Sequence, residues 1–222
     1  MSQSASGPGA VATVVVVTDP MCSWCWGMAA AVEQAAAQLA HRVRFDILLG
    51  GINTHGTQPV GDYGRRYLMH VWREVQATTG QPFAFTVPDG LIYNSTLPCL
   101  AVAAVRRAIG RPPFGYLHRL QQLLFAQGVN VNDAALLAGT AAEFGVASDE
   151  VRAAFRDPGL AQALRAEFAG ARRYGTHALP SLLIERDGER RLLAGGYADA
   201  ATVAAMVRAR LGDPDPDRER SG

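Results

Sequence analysis

The chain has no lysine. All 21 of its basic residues are arginine, set against 20 acidic residues for a formal net charge of +1. Without lysine there is no P-loop lysine, no kinase-type ATP lysine and no lysine Schiff base. A neutral balance with no basic block provides no electrostatic footprint for nucleic acid or an anionic membrane. No apolar run approaches the length needed to span a bilayer, and the run Val11–Val17 is far too short. Residues 1–10 lack a basic n-region and do not resemble a secretory signal, so a cytoplasmic protein is expected. Cysteine is scarce as well. Three in 222 residues do not make a disulfide scaffold, and a C-x-x-C in that setting points to redox or metal chemistry.

What is present is a core. Hydrophobic residues make up 49% of the chain, which excludes wholesale disorder. Ala12–Thr18 reads as a fully buried strand ending at the Asp19-Pro20 turn. Cys22 and Cys25 then open a helix in which Met28, Val32, Ala35 and Leu39 recur at helical spacing. Val43, Phe45, Ile47 and Leu49 alternate as a second strand closed by Gly50-Gly51. Strand, helix and strand in so short a span form a βαβ unit with a parallel pair. The middle reads as helical: a helix that Asp62 can cap, another opened by Thr96 and Pro98 and ended by Gly110, then Phe114–Gln127, Asn132–Phe144, Ser148–Phe155 and Asp157–Arg173. Strands return at Ser181–Arg186 and Arg190–Ala194 around an Asp187-Gly188 turn, followed by a helix from Asp199 to Leu211.

The expected fold is therefore α/β: a thioredoxin-like layer with a helical domain inserted between its β-α-β and β-β-α halves. Residues 11–58 and 174–212 would form the thioredoxin-like unit and 59–173 the insert, with 1–10 and 213–222 as flexible tails.

Cys22 and Cys25 share one face of the helix start, within disulfide reach. The first thiol sits beside unpaired N–H groups and the positive end of the helix dipole, which favour thiolate. A thiolate attacks disulfides, and a second thiol three residues on resolves the mixed disulfide. A strand before the pair and a helix after it strengthen this reading over two inert buried cysteines. Zinc is disfavoured, since it needs at least three protein ligands and no second C-x-x-C or His/Cys pair lies nearby in sequence. Leu179-Pro180-Ser181 precedes the third strand, where a cis proline in such a layer would face the C-x-x-C and present the preceding backbone to a substrate.

The run Asp19 to Gly27 (D-P-M-C-S-W-C-W-G) resembles the cytoplasmic DsbA-like thiol-disulfide oxidoreductases of bacteria, in the branch labelled as protein-disulfide isomerases. Pro59 to Tyr67 (P-V-G-D-Y-G-R-R-Y), Thr79 to Phe83 (T-G-Q-P-F) and Leu179-Pro180 resemble the same branch, so the likeness runs from Val11 to Leu211. The resemblance implies Cys22 as nucleophile, Cys25 as resolving thiol and Pro180 as the cis proline. Strongly oxidising periplasmic relatives carry His before the second cysteine, where this chain has Trp24, so neither their oxidant role nor their address carries over. Kappa-type glutathione transferases and chromene-carboxylate isomerases are similar in layout but place Ser at the reactive position. The cysteine pair argues against them and leaves glutathione open as a co-substrate.

The expectation is a dithiol-disulfide oxidoreductase or isomerase acting on protein or small-molecule thiols, needing no metal, flavin or nucleotide. Trp24, Leu179 and Pro180 are its expected substrate contacts. The rival class is a redox-sensitive adaptor or chaperone on the same fold. Cys99 reads as a small buried hydrophobe, Trp26 as core, and Asp19 as a turn residue that could also tune the thiols. The stripe Tyr63, Tyr67, Val71, Trp72 reads as helix packing that could line a groove over the cysteines. His55 and His177 receive no role.

Overall fold

The computed structural model describes residues 11–174 and 178–212. The expected tails and His177 lie outside the described residues.

Four strands form one sheet in the order β2-β1-β3-β4: β1 (Thr13–Thr18), β2 (Arg44–Leu49), β3 (Ser181–Arg186) and β4 (Glu189–Gly195). β1 pairs parallel with β2, Val16 opposite Ile47, and antiparallel with β3, Val16 opposite Leu182. β3 and β4 form the expected hairpin, with positive φ at Asp187 (54°) and Gly188 (80°). That is the handedness a tight two-residue turn needs.

The unbroken valine run of β1 has a structural reason. Val14 and Val16 face a cluster with Met28, Val32 and Val203, while Val15 and Val17 face the opposite side with Leu48, Ala171 and Leu183. A central strand covered on both faces has no use for a polar alternate. Helices α1 (Ser23–Leu39) and α8 (Ala200–Leu211) supply the first cover, and α7 (Pro158–Arg172) the second.

The helical block holds α2 (Asp62–Thr79), α3 (Thr96–Ile109), α4 (Phe114–Gln121), α5 (Ala134–Ala141), α6 (Ser148–Ala154) and α7. Every residue of α3 from Pro98 to Val105 is buried, as in a helix that is apolar all round and wrapped by its neighbours. Trp72, Phe83 and Phe125 pack as an aromatic triad, with ring centroids 5.5 to 5.8 Å apart.

Two local readings are corrected. The single helix expected over Phe114–Gln127 passes into a π-helical turn at Gln122–Ala126, which Gln127 N–H closes on the carbonyl of Gln122. The wider turn lets Leu123, Leu124 and Phe125, three consecutive residues, all be buried. Asp62 does not cap α2. Gly61 holds the N-cap position and Asp62 lies in the first turn, where an acidic residue suits the positive end of the helix dipole. Asp133, Asp157 and Asp199 do cap their helices through side-chain hydrogen bonds.

β2 is an edge strand whose open groups are taken up by side chains. Leu49 N–H donates to Glu167 Oε1 at 2.7 Å, and Arg106 donates to the Ile47 carbonyl at 3.2 Å. Arg106 and Glu167 also pair with each other at 2.5 Å, so one ion pair pins α3 and α7 to the strand. Among the described residues, no helix is long and apolar enough to cross a membrane.

Candidate active site

The chain leaves β1 through a turn built by Asp19. Its Oδ1 accepts Met21 N–H at 2.8 Å, and its carbonyl accepts Cys22 N–H at 3.2 Å. This places Cys22 at the N-cap of α1 in an extended conformation, φ −90° and ψ 114°. Its Sγ does what a serine or aspartate oxygen does at such a position, accepting Cys25 N–H at 3.2 Å. The thiol of Cys22 also donates to the carbonyl of Leu179, 3.7 Å away. The Leu179–Pro180 bond is cis, as the sequence suggested.

Cys22, Trp24 and Leu179 line one cavity of about 470 Å³. The loop Gly50–Asn53 forms another wall, and Tyr67, Val71, Tyr93 and Arg172 close it from the helical block. Pro180 is buried behind Leu179 and does not line the cavity. Trp24 is half-buried, its ring 6.3 Å from that of Tyr197. Trp26 is core, its indole N–H donating to Pro82. The aromatic stripe divides. Tyr67 and Val71 line the cavity, Trp72 is fully buried, and Tyr63 stands out in solvent at 79% exposure.

Two glycines are required by close approach. A Cβ on Gly50 would come within 2.7 Å of the Leu179 side chain, and one on Gly51 within 2.8 Å of the Phe168 ring. Gly51 also has φ +70°, a conformation that side chains other than glycine rarely adopt. The Gly50-Gly51 pair therefore does more than end β2: it lets the loop pack against Leu179 and Phe168.

Beneath the thiols lies a buried polar node. Asp19 is fully buried, and its Oδ2 accepts from Ser95 Oγ at 2.5 Å, Ile52 N–H at 2.9 Å and Cys99 Sγ at 3.5 Å. Gln121, placed just before the π-helical turn, donates to the Asp19 carbonyl at 3.1 Å. Burial pushes the Asp19 carboxyl above its ordinary pKa, although these donors pull the other way. Tyr93 donates to the Met21 carbonyl at 2.6 Å. Ser95, Tyr93 and Gln121 were missed in the sequence, because only tertiary contact brings them to Asp19.

All three cysteines are free thiols and buried. Burial, hydrogen bonding to Cys22 and the negative charge that Cys22 can carry push Cys25 well up. Burial, with Asp19 beside it, pushes Cys99 up as well. Cys99 is the buried packing residue expected, with a hydrogen bond that the sequence did not show. Among the described residues, no group of three or more His, Cys, Asp or Glu is placed to hold a metal ion.

This architecture recurs in known proteins. The chain superposes on a candidate protein disulfide isomerase from Nitrosomonas europaea with a TM-score of 0.83 and 27% identity, covering 91% of this chain and 98% of that one. The cytosolic disulfide reductase DsbM from Pseudomonas aeruginosa gives 0.71 and 25%, covering 90% and 98%. The same Pseudomonas protein solved with GSH gives 0.70 and 23%, covering 90% and 99%. Among curated sequences, the ClpXP adapter protein SpxH of Halalkalibacterium halodurans is 24% identical over 76% of this chain, which spans only 57% of that relative's length. The model of the DSBA-like thioredoxin domain matches residues 13–206, nearly the whole described chain, and the protein belongs to that family.

Proposed function

We propose that the protein is a dithiol-disulfide oxidoreductase in which Cys22 attacks and Cys25 resolves. One observation carries this reading. Cys22 holds the N-cap of α1 on the wall of an open cavity, beside the Leu179 carbonyl, with Cys25 one turn further in. The Cys22 thiolate attacks one sulfur of a substrate disulfide, and the other sulfur leaves as a thiolate that takes up a proton. Cys25 then gives up its proton and attacks Cys22 Sγ. The Cys22–Cys25 bond forms, the mixed disulfide breaks, and two electrons have passed to the substrate. The reverse sequence oxidises a substrate dithiol.

The raised pKa of Cys25 fits the second role. Part of its rise comes from the charge of Cys22. That charge disappears when Cys22 enters the mixed disulfide, so Cys25 becomes easier to deprotonate when it is needed. Trp24 and the Leu179 backbone form the substrate contacts, with Pro180 behind them. The thioredoxin-like unit 11–58 and 174–212 carries the dithiol, and the insert 59–173 roofs the cavity with Tyr67, Val71 and Tyr93. The exchange calls for no metal, flavin or nucleotide.

Protein disulfides and small thiols are the substrate class. Glutathione is the first small thiol to test, because the Pseudomonas reductase was solved with GSH, and the cytosolic setting of that reductase supports a cytoplasmic one here. Turnover on insulin, together with the equilibrium potential in a glutathione buffer, tests the reading. Trp24 supplies no cation where strong oxidants of this fold carry histidine, so the potential should be more reducing than about −120 mV. Absence of turnover on both insulin and glutathione disulfide would remove the enzyme reading.

A second reading has support from the adapter relatives: a redox-sensitive adaptor for protein clients. It requires client binding that depends on the oxidation state of the cysteines and proceeds without turnover.

A further inference from the structure

A second cavity of about 410 Å³ lies between α3, α7 and the loop after β2, outside the dithiol site. Its floor is apolar, built from Leu100, Leu164 and Phe168, all nearly buried. Its rim is cationic. Arg165 and Arg172 stand a heptad apart on the same face of α7, both exposed, and His55 lies across from them. None of the described lining residues is acidic. Arg165 and Arg172 have no ion pair among the described residues, whereas Arg65, Arg106, Arg107, Arg119 and Arg152 of the helical block do. Glu167, the acid of α7, turns the other way to Arg106 and Leu49 N–H. Two unneutralised guanidinium groups above an apolar floor match a ligand that is both acidic and apolar.

This cavity adjoins the dithiol site. Arg172 lines both spaces. The partition between them is thin: Gly51, on the dithiol side, packs directly against the Phe168 ring of the second floor. A chain whose cysteine is engaged at Cys22 would run over this partition into the second cavity.

We infer that the second cavity is a docking subsite for the client polypeptide, taking a segment with acidic and apolar side chains that flanks the substrate cysteine. The inference rests on the proposed redox reading and narrows it, from disulfides in general to those embedded in acidic, apolar sequence. Charge sets the preference, and the apolar floor sets the contact area.

The test uses two synthetic peptides with leucine and glutamate, or leucine and arginine, around a serine that replaces the client cysteine. Calorimetric binding to the full chain should favour the acidic peptide by about fivefold at low salt, with the preference fading as salt rises. Arg165→Glu should abolish or invert that preference, and Ala169→Glu, which adds an acid to the exposed rim, should reduce it. Equal affinity for the two peptides in the wild type, or a preference that Arg165→Glu leaves intact, overturns the inference. So does a concentration-dependent dimer that Arg165→Glu dissolves, since a second copy of the chain would then be the occupant. The cysteine versions of the same peptides, as disulfides, separate this outcome from the redox reading. Preferential binding without reduction of either disulfide would leave the subsite standing and end the oxidoreductase reading. Reduction of both with equal efficiency and equal binding would do the opposite.

Discussion

The thiol of Cys22 donates to the carbonyl of Leu179 across 3.7 Å, although the two residues are 157 positions apart. The start of α1 and the start of the last hairpin thus meet at one sulfur. If that sulfur is the nucleophile, its loss and the loss of its neighbour should have different consequences. Cys22→Ser should abolish insulin reduction and trap no clients, because a serine without an adjacent base is too weak a nucleophile. Cys25→Ser should accumulate mixed disulfides, visible on a non-reducing gel and released by reductant, because intramolecular escape is lost. Cys99→Ser keeps a donor to Asp19 and should leave turnover almost unchanged. Trapping by Cys22→Ser would reverse the assignment.

Labelling order provides an independent check. Cys22 lines the cavity, whereas Cys25 and Cys99 are held in the protonated form by burial and nearby negative charge. Iodoacetamide at neutral pH should therefore modify Cys22 first, as read by peptide mapping. First modification at Cys25 or Cys99 would contradict the geometry.

Asp19 should show itself in the pH dependence of stability. Its pKa is raised by burial, so the native state keeps this proton to higher pH than the unfolded chain does. The native state therefore loses stability as pH rises from the unfolded value through the native one. Asparagine cannot titrate. The stability margin of wild type over Asp19→Asn should shrink as pH rises above the unfolded carboxyl value of about 4, as measured by urea unfolding of both proteins. A margin that grows over that range would mean the ionised form is the one the fold prefers.

The Arg106–Glu167 pair should matter more than an exposed ion pair. The Glu167 side chain is 12% exposed and that of Arg106 29%, and Glu167 also satisfies Leu49 N–H on the open edge of β2. Glu167→Ala leaves an edge donor and a half-buried guanidinium without their partner, and should cost about 2–4 kcal/mol in denaturant unfolding. A loss below about 0.5 kcal/mol would place the pair among ordinary surface salt bridges.

The strands, the hairpin turn and the helix that opens at Cys22 were legible because each rests on local chemistry: a β-branched run, an Asp-Gly turn, a C-x-x-C after Asp-Pro. Thr96–Ile109 was legible for the same reason, with Pro98 in its first turn and a glycine at its end. The π-helical turn at Gln122–Ala126 was not, because packing three consecutive apolar side chains selects it over a continuous helix. Asp19 reads in the sequence as a turn residue that could also tune the thiols. Its burial, and its bonds to Ser95, Ile52 and Cys99, depend on α3 and the loop after β2 arriving from distant parts of the chain. Gly50 and Gly51 read as a strand ending, yet the side chains that require them are Leu179 and Phe168. Sequence by itself determined most of the elements and placed the cysteine pair at a helix start, since propensity and spacing act over a few residues. Tertiary structure alone decided which walls surround that pair and which charges on α7 lack an ion pair among the described residues, because those follow from contacts between segments far apart in the chain.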